Sequence, residues 1–109
     1  MSMKVTGVML TASLLFSMPC FAKEVVVEIY KKKFIPQEIT IEAGDTVIWK
    51  NIEKRQYHNV WFKVLGEEEP GYFFPDETYQ RTFNDAGDFP YECGPHPKMT
   101  GKVTVKPAI

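Results

Sequence analysis

From residue 24 onward the chain alternates apolar and polar positions with a period of two. Val25, Val27 and Ile29 alternate with Glu24, Glu28 and Tyr30, the pattern of a strand with one buried face. Ile39 and Ile41 alternate with Thr40 and Glu42. Gly44-Asp45 then turns the chain into Thr46-Val47-Ile48-Trp49, rich in β-branched and aromatic residues. Val60 to Val64 reads as a further strand, beginning directly after His58 and Asn59. Residues 66–76 carry two glycines, two prolines and three glutamates and read as a loop. Thr78 to Phe83 pairs again, Asp85-Ala86-Gly87-Asp88 turns into Phe89-Pro90-Tyr91-Glu92, and Gly101 to Lys106 closes the chain with Val103 and Val105 on one face. No amphipathic helix, internal repeat or linker interrupts this pattern. Roughly seven short strands between turn signals predict an all-β sandwich of two antiparallel sheets.

Composition fits one domain of that kind. The chain has 109 residues, 44% apolar and 25% charged, with eight Phe, five Tyr and two Trp to offset chain entropy. A net charge of -1 offers none of the basic excess that binds nucleic acid. Lys31-Lys32-Lys33 beside a strand reads as a solvated turn.

Residues 1–22 read as a targeting segment. Lys4 opens it, Val8 to Phe16 is mostly apolar, and Cys20-Phe21-Ala22 places small residues for cleavage after Ala22. The apolar run falls short of the roughly 20 residues that span a bilayer. The expected division is therefore a signal peptide over 1–22 and a mature domain over 23–109, exported to the periplasm without a membrane span. Cleavage removes one lysine and no acid, leaving 12 basic and 14 acidic residues.

Cleavage also leaves chemistry-bearing residues scarce. Cys93 becomes the single cysteine, so no internal disulfide can form. His58 and His96 are the only histidines, and Met99 is the only methionine beyond residue 22. Three of these four lie in Cys93-Gly94-Pro95-His96-Pro97-Lys98-Met99. With Cys93 ending one strand, Met99 preceding the last and His58 opening another, the four can meet at one end of the sandwich. Two imidazoles, a thiolate and a weaker thioether are the donor set of an electron-transfer copper site. Zinc accepts Cys and His, but a thioether is a poor zinc ligand and structural zinc sites usually hold two or more thiolates. A Cys–His nucleophile leaves His96 and Met99 without a role. Core filling would explain any one of the four singly.

The segment Tyr91-Glu92-Cys93-Gly94-Pro95-His96-Pro97-Lys98-Met99, with upstream His58-Asn59, resembles the small blue-copper proteins, the cupredoxins. Its Cys-x-x-His-x-x-Met spacing is similar to that of amicyanins; plastocyanins and pseudoazurins have a longer interval before the methionine. Phe34-x-Pro36, Ala43-Gly44-Asp45-Thr46-Val47 and Gly87-x-Phe89-x-Tyr91 extend the resemblance over most of the mature chain. It implies a Greek-key β-sandwich with about seven to eight strands, a single mononuclear type 1 copper ion, and one-electron transfer without catalysis. His58, Cys93 and His96 would be the strong ligands and Met99 the axial one, with Asn59 locking the two ligand loops. Gly94 departs from relatives that carry a hydroxyl residue there, and Lys98 from those with an apolar one.

The resemblance also implies transient redox partners docking near His96, Pro95 and Pro97, and a monomer between encounters. Glu67-Glu68-Glu69 would steer a basic partner or simply be solvated. A periplasmic copper carrier that delivers metal is the alternative function, although such carriers favour Met-rich or His-rich tracts.

Overall fold

The computed structural model describes residues 22–108. The expected leader, apart from Ala22, lies outside the described residues. Seven strands run in chain order as β1 (Glu24–Tyr30), β2 (Lys33–Ile35), β3 (Glu38–Glu42), β4 (Thr46–Asn51), β5 (Thr78–Thr82), β6 (Gly87–Cys93) and β7 (His96–Lys106). They form one sheet ordered β2-β1-β4-β5 and a second ordered β3-β7-β6. The β1–β4 and β3–β7 pairs are parallel and the others antiparallel. The expected all-β sandwich of two sheets is the fold observed, but the sheets are mixed and not antiparallel as expected, because β1–β4 and β3–β7 join strands distant in the chain that run the same way.

The period-two pattern places the core between the sheets. Val27 and Ile29 of β1 and Val47 and Trp49 of β4 are fully buried, and Ile41, Tyr91, Cys93, Val103 and Val105 meet them from the second sheet. Out-of-phase Val26 is 50% exposed, as expected for the outer face of a half-buried strand. Trp49 anchors the core, with ring centroids 5.4 Å from Tyr91, 5.9 Å from Tyr79 and 6.3 Å from Phe62. Its Nε1 and the Tyr91 hydroxyl are buried without hydrogen-bond partners. Leaving each unpaired costs about 1–3 kcal/mol, but burying large rings beside one another outweighs it. Burial pushes the Tyr91 hydroxyl up to about 12. The Tyr91 ring lies across Gly101, its partner on β7, and a Cβ there would overlap it.

Two local expectations are corrected. Val60 to Val64 is not a strand. Val60 and Phe62 are buried in alternation, but only Trp61 pairs, exchanging both backbone bonds with Glu92. Two residues along β6 stands Pro90, which has no N–H to continue the ladder. The chain turns instead into a 3-10 helix over Lys63–Leu65. Nor do five loop residues separate Cys93 from Met99. β7 begins at His96, directly across from Cys93, so Gly94-Pro95 is a two-residue turn and Met99 lies within β7.

Asp45 fastens the opposite end of the domain. One carboxylate oxygen accepts from the Lys23 backbone N–H at 2.8 Å and the other from Glu42 at 3.0 Å. These bonds hold its carboxyl below the usual carboxylate range. The folded state thus binds fewer protons here than the unfolded chain, so the stabilisation is complete above the unfolded value of about 3.9 and fades as pH falls through the folded one. Asp45→Asn should destabilise the protein by roughly 1–3 kcal/mol at neutral pH. In thermal unfolding scans the gap to wild type should close below about pH 4, and a gap independent of pH would contradict this.

Candidate metal centre

The irregular meeting of β6 and β7 builds the site. Glu92 faces Thr100, yet the next residue, Cys93, faces His96. Residues 97–99 of β7 therefore stand opposite a single step of β6. This extra length breaks strand alternation and allows His96 and Met99, three positions apart, to reach the same end of the sandwich. Met99 is buried in the core and shares with His96 and Pro97 the lining of a surface concavity. His58 comes from outside the sheets. It exchanges both backbone bonds with Phe73, and the Trp61–Glu92 bridge ties the segment after it to the edge of β6.

Side chains converge accordingly. The Cys93 Sγ lies 3.5 Å from His58 Nδ1 and 3.5 Å from His96 Nδ1. One donor atom from each residue falls within 4.8 Å of the others. Cys93 and His58 are fully buried, and His96 is partly exposed. Burial pushes the Cys93 thiol up, as do Glu69 and Glu92, while backbone N–H groups of Asn59 and His96 oppose it. Burial holds both imidazoles below their usual range. Neutral imidazoles and a thiol screened from solvent are poised to exchange the thiol proton for a cation.

Each imidazole must offer a lone pair inward, and for His58 the structure supplies the reason. Its Nε2 lies 3.2 Å from Glu53 Oε2, so the proton on Nε2 leaves Nδ1 free toward Cys93. Glu53 is itself fixed, accepting from the backbone N–H groups of Lys31 and Lys32 at 3.1 and 2.9 Å. Asn51 Oδ1 accepts the Glu53 N–H, and its Nδ2 donates to the carbonyls of Gln56 and Phe73. Asn59 joins the two ligand segments, since its Oδ1 accepts from Gly94 N at 2.7 Å.

The site thus brings together His58, Cys93 and His96, with Met99 alongside and Asn59 behind. Sequence reading overlooked Glu53 and treated Lys31 to Lys33 as a plain solvated turn. Both central residues of that turn have positive φ, 51° and 56°, and their N–H groups point at Glu53. Nothing in the pattern around a lone glutamate announces such a role. The donor set fits copper: one thiolate, two imidazoles with inward nitrogens and a buried thioether suit Cu(I) and Cu(II) alike. It fits zinc less well, because only one thiolate is present among the described residues.

Comparison with known proteins points the same way. A family model described as copper-binding proteins of the plastocyanin/azurin family matches residues 22–106. The chain is 46% identical over 89 residues to amicyanin of Paracoccus versutus, covering 78% of this chain and 67% of that protein. It is 42% identical to amicyanin of Paracoccus denitrificans, covering 75% and 65%. The chain thus spans about two thirds of the length of these relatives. Plastocyanin of Vicia faba is 33% identical over 86 residues, covering 66% of this chain and 86% of that protein. The crystal structure of the Paracoccus versutus amicyanin superposes with a TM-score of 0.68 at 40% identity, covering 84% of this chain and 87% of the other. A reduced amicyanin mutant gives 0.70 at 39% identity, covering 76% and 82%.

Glu53 sets the tautomer and orientation of His58, so Glu53→Ala should weaken copper binding by about 10–100-fold. Glu53→Gln, whose amide oxygen still accepts, should lose less. Competition titration with a Cu(I) chelator measures both, and equal affinity in all three proteins would contradict the assigned role.

Proposed function

The chain belongs to the copper-binding plastocyanin/azurin family, and on that premise we propose that it is a periplasmic one-electron carrier with a single type 1 copper ion. The observation that carries this reading is a buried thiol held between two imidazole nitrogens, each 3.5 Å away. In this reading His58, Cys93 and His96 would be the strong ligands and the Met99 thioether the weaker one. Copper bound there supplies the Cu(I)/Cu(II) couple. The protein's part is to keep the donor atoms fixed, so that little rearrangement accompanies the change of charge. Glu53 locks His58, the tight Gly94-Pro95 turn locks Cys93 against His96, and Asn59 ties the two segments. Four protein donors leave no open position for a substrate, which separates this site from a catalytic one.

Export accounts for the remaining features. Residues 1–22 serve as signal peptide, and residues 23–109 form the working domain. Among the described residues no helix is long and apolar enough to cross a membrane.

His96 is the door to that buried site. Cys93 and His58 are fully buried, while partly exposed His96 lines a surface concavity with Pro97, Lys98 and Met99. A monomer would dock its redox partners here through a small, transient interface. Charges around the door differ from those of the whole molecule. Lys32 and Lys98 line the concavity beside His96, and Lys33 joins them in the adjoining one. The acids of the 66–76 loop do not share this rim: Glu67 is paired with Arg81, and Glu69 bonds Asn59. Partners with an acidic surface suit the lysine rim, in spite of the protein's net negative charge.

An electron carrier should cycle reversibly at an electrode for many turnovers without losing copper to a Cu(I) chelator. Its reaction with anionic hexacyanoferrate should slow as salt shortens the Debye length to about 8 Å at 0.15 M. Lys32→Glu and Lys98→Glu should each lower the low-salt rate severalfold. Ready loss of Cu(I) to a competing protein would favour metal delivery instead. A rate that rises with salt would show that the net negative charge, not the lysine rim, governs the encounter.

A further inference from the structure

The three consecutive glutamates of the 66–76 loop are not one solvated cluster. Glu67 forms a two-point pair with Arg81, at 2.8 and 2.9 Å, and its carbonyl accepts from Trp61 Nε1 at 2.8 Å. Arg81 lies over the Phe62 and Phe83 rings, 4.5 and 5.3 Å from their centroids, so the start of the loop is pinned to the core. Two residues later Glu69 reaches the metal-site end. Its Oε2 accepts from Asn59 Nδ2 at 2.9 Å, and the Pro70 carbonyl accepts from the same amide at 3.2 Å.

Those acceptors decide which way the Asn59 amide faces. With Nδ2 held by Glu69 and Pro70, Oδ1 is left to accept from Gly94 N at 2.7 Å. Turning the amide over would set Oδ1 against a carboxylate and Nδ2 against the Gly94 N–H, two repulsive contacts. Gly94 in turn follows Cys93 directly in the chain. Glu69, Asn59, Gly94 and Cys93 are therefore one connected chain. Room for it depends on residue 94 being glycine. A Cβ built there would overlap the Glu69 carboxylate and stand 3.2 Å from Asn59 Nδ2. Any other residue at 94 displaces Glu69, because the end of an exposed glutamate moves more easily than the strand behind it.

We infer that Glu69, admitted by Gly94, is a positioning residue of the metal centre that also sets its charge. Its carboxylate orients Asn59 toward Gly94 and places a negative charge near the Cys93 sulfur, favouring the more positive Cu(II) state. The inference rests on the reading of His58, Cys93, His96 and Met99 as copper ligands. Glu69 is solvent-exposed, so its influence is modest and weakens with salt.

Reduction potentials of the copper-loaded protein and amide exchange at Gly94 in the metal-free protein test the two halves separately. Glu69→Gln keeps an acceptor and removes the charge. It should favour Cu(I) by roughly threefold to tenfold, a tenfold change being about 59 mV for one electron, with Gly94 exchange near wild type. Glu69→Ala should shift the potential the same way and also speed Gly94 exchange. Gly94→Ala should reproduce the faster exchange of Glu69→Ala, with a smaller shift in potential because the displaced carboxylate keeps its charge, and the double variant should add little to the exchange of either, since both act on one contact. An unmoved potential in Glu69→Gln overturns the charge-setting role. Independent, additive effects of Glu69→Ala and Gly94→Ala on exchange overturn the positioning role. If no thiolate-bound copper forms, the ligand reading fails and takes the charge-setting role with it, while exchange in the metal-free protein still decides whether Glu69 positions Asn59.

Discussion

The segment carrying His58 has no sheet of its own, and the centre depends on how it is fastened to the end of β6. Two backbone bonds join Trp61 to Glu92, and the Asn59 side chain holds Gly94 just beyond Cys93. Between those ties the Cys93 thiol can lie 3.5 Å from an imidazole on each side. Fully burying a thiol beside two imidazoles is unfavourable for isolated polar groups, so each needs a partner to fix its role. Glu53 serves His58, and backbone N–H groups serve Cys93. Loss of these partners would leave the same residues near one another without the arrangement a metal requires.

Charge is distributed with the same economy of position. Glu53 stands behind His58, Glu69 and Glu92 lie near Cys93, and the lysines stand around the partly exposed His96. The carboxylates offset the charge of a bound cation, and the lysines colour only the surface a partner meets. At physiological ionic strength the two groups are screened differently. The contact between Glu53 and His58 is buried and persists, whereas the lysine rim acts over about one Debye length. Affinity for metal and choice of partner can therefore vary separately.

Much of the fold was legible because alternation and turn residues are local signals. Val25-Val27-Ile29, Val47-Trp49 and Val103-Val105 marked buried faces that the structure places between the sheets. Residues 60–64 misled for a non-local reason. Their alternation is real, but the strand available to pair with them carries Pro90 two positions from Glu92. The residues of the centre were conspicuous by scarcity, and the structure draws His58, Cys93 and His96 into one cluster. The extra residues of β7 opposite the Glu92–Cys93 step escaped notice, because register belongs to pairs of strands and not to one. Glu53 and Glu69 stayed hidden among other charged residues. Their roles arise from contacts with residues 5 and 10 positions away that no periodicity marks.

The copper centre as proposed depends on Cys93 supplying a thiolate between two imidazoles. The visible and electron-spin-resonance spectra of the Cu(II)-loaded protein test it most directly. An intense blue or green thiolate-to-copper band, abolished by Cys93→Ala, is the predicted result. A pale spectrum, or zinc held more tightly than copper, would rule out a thiolate-bound copper centre.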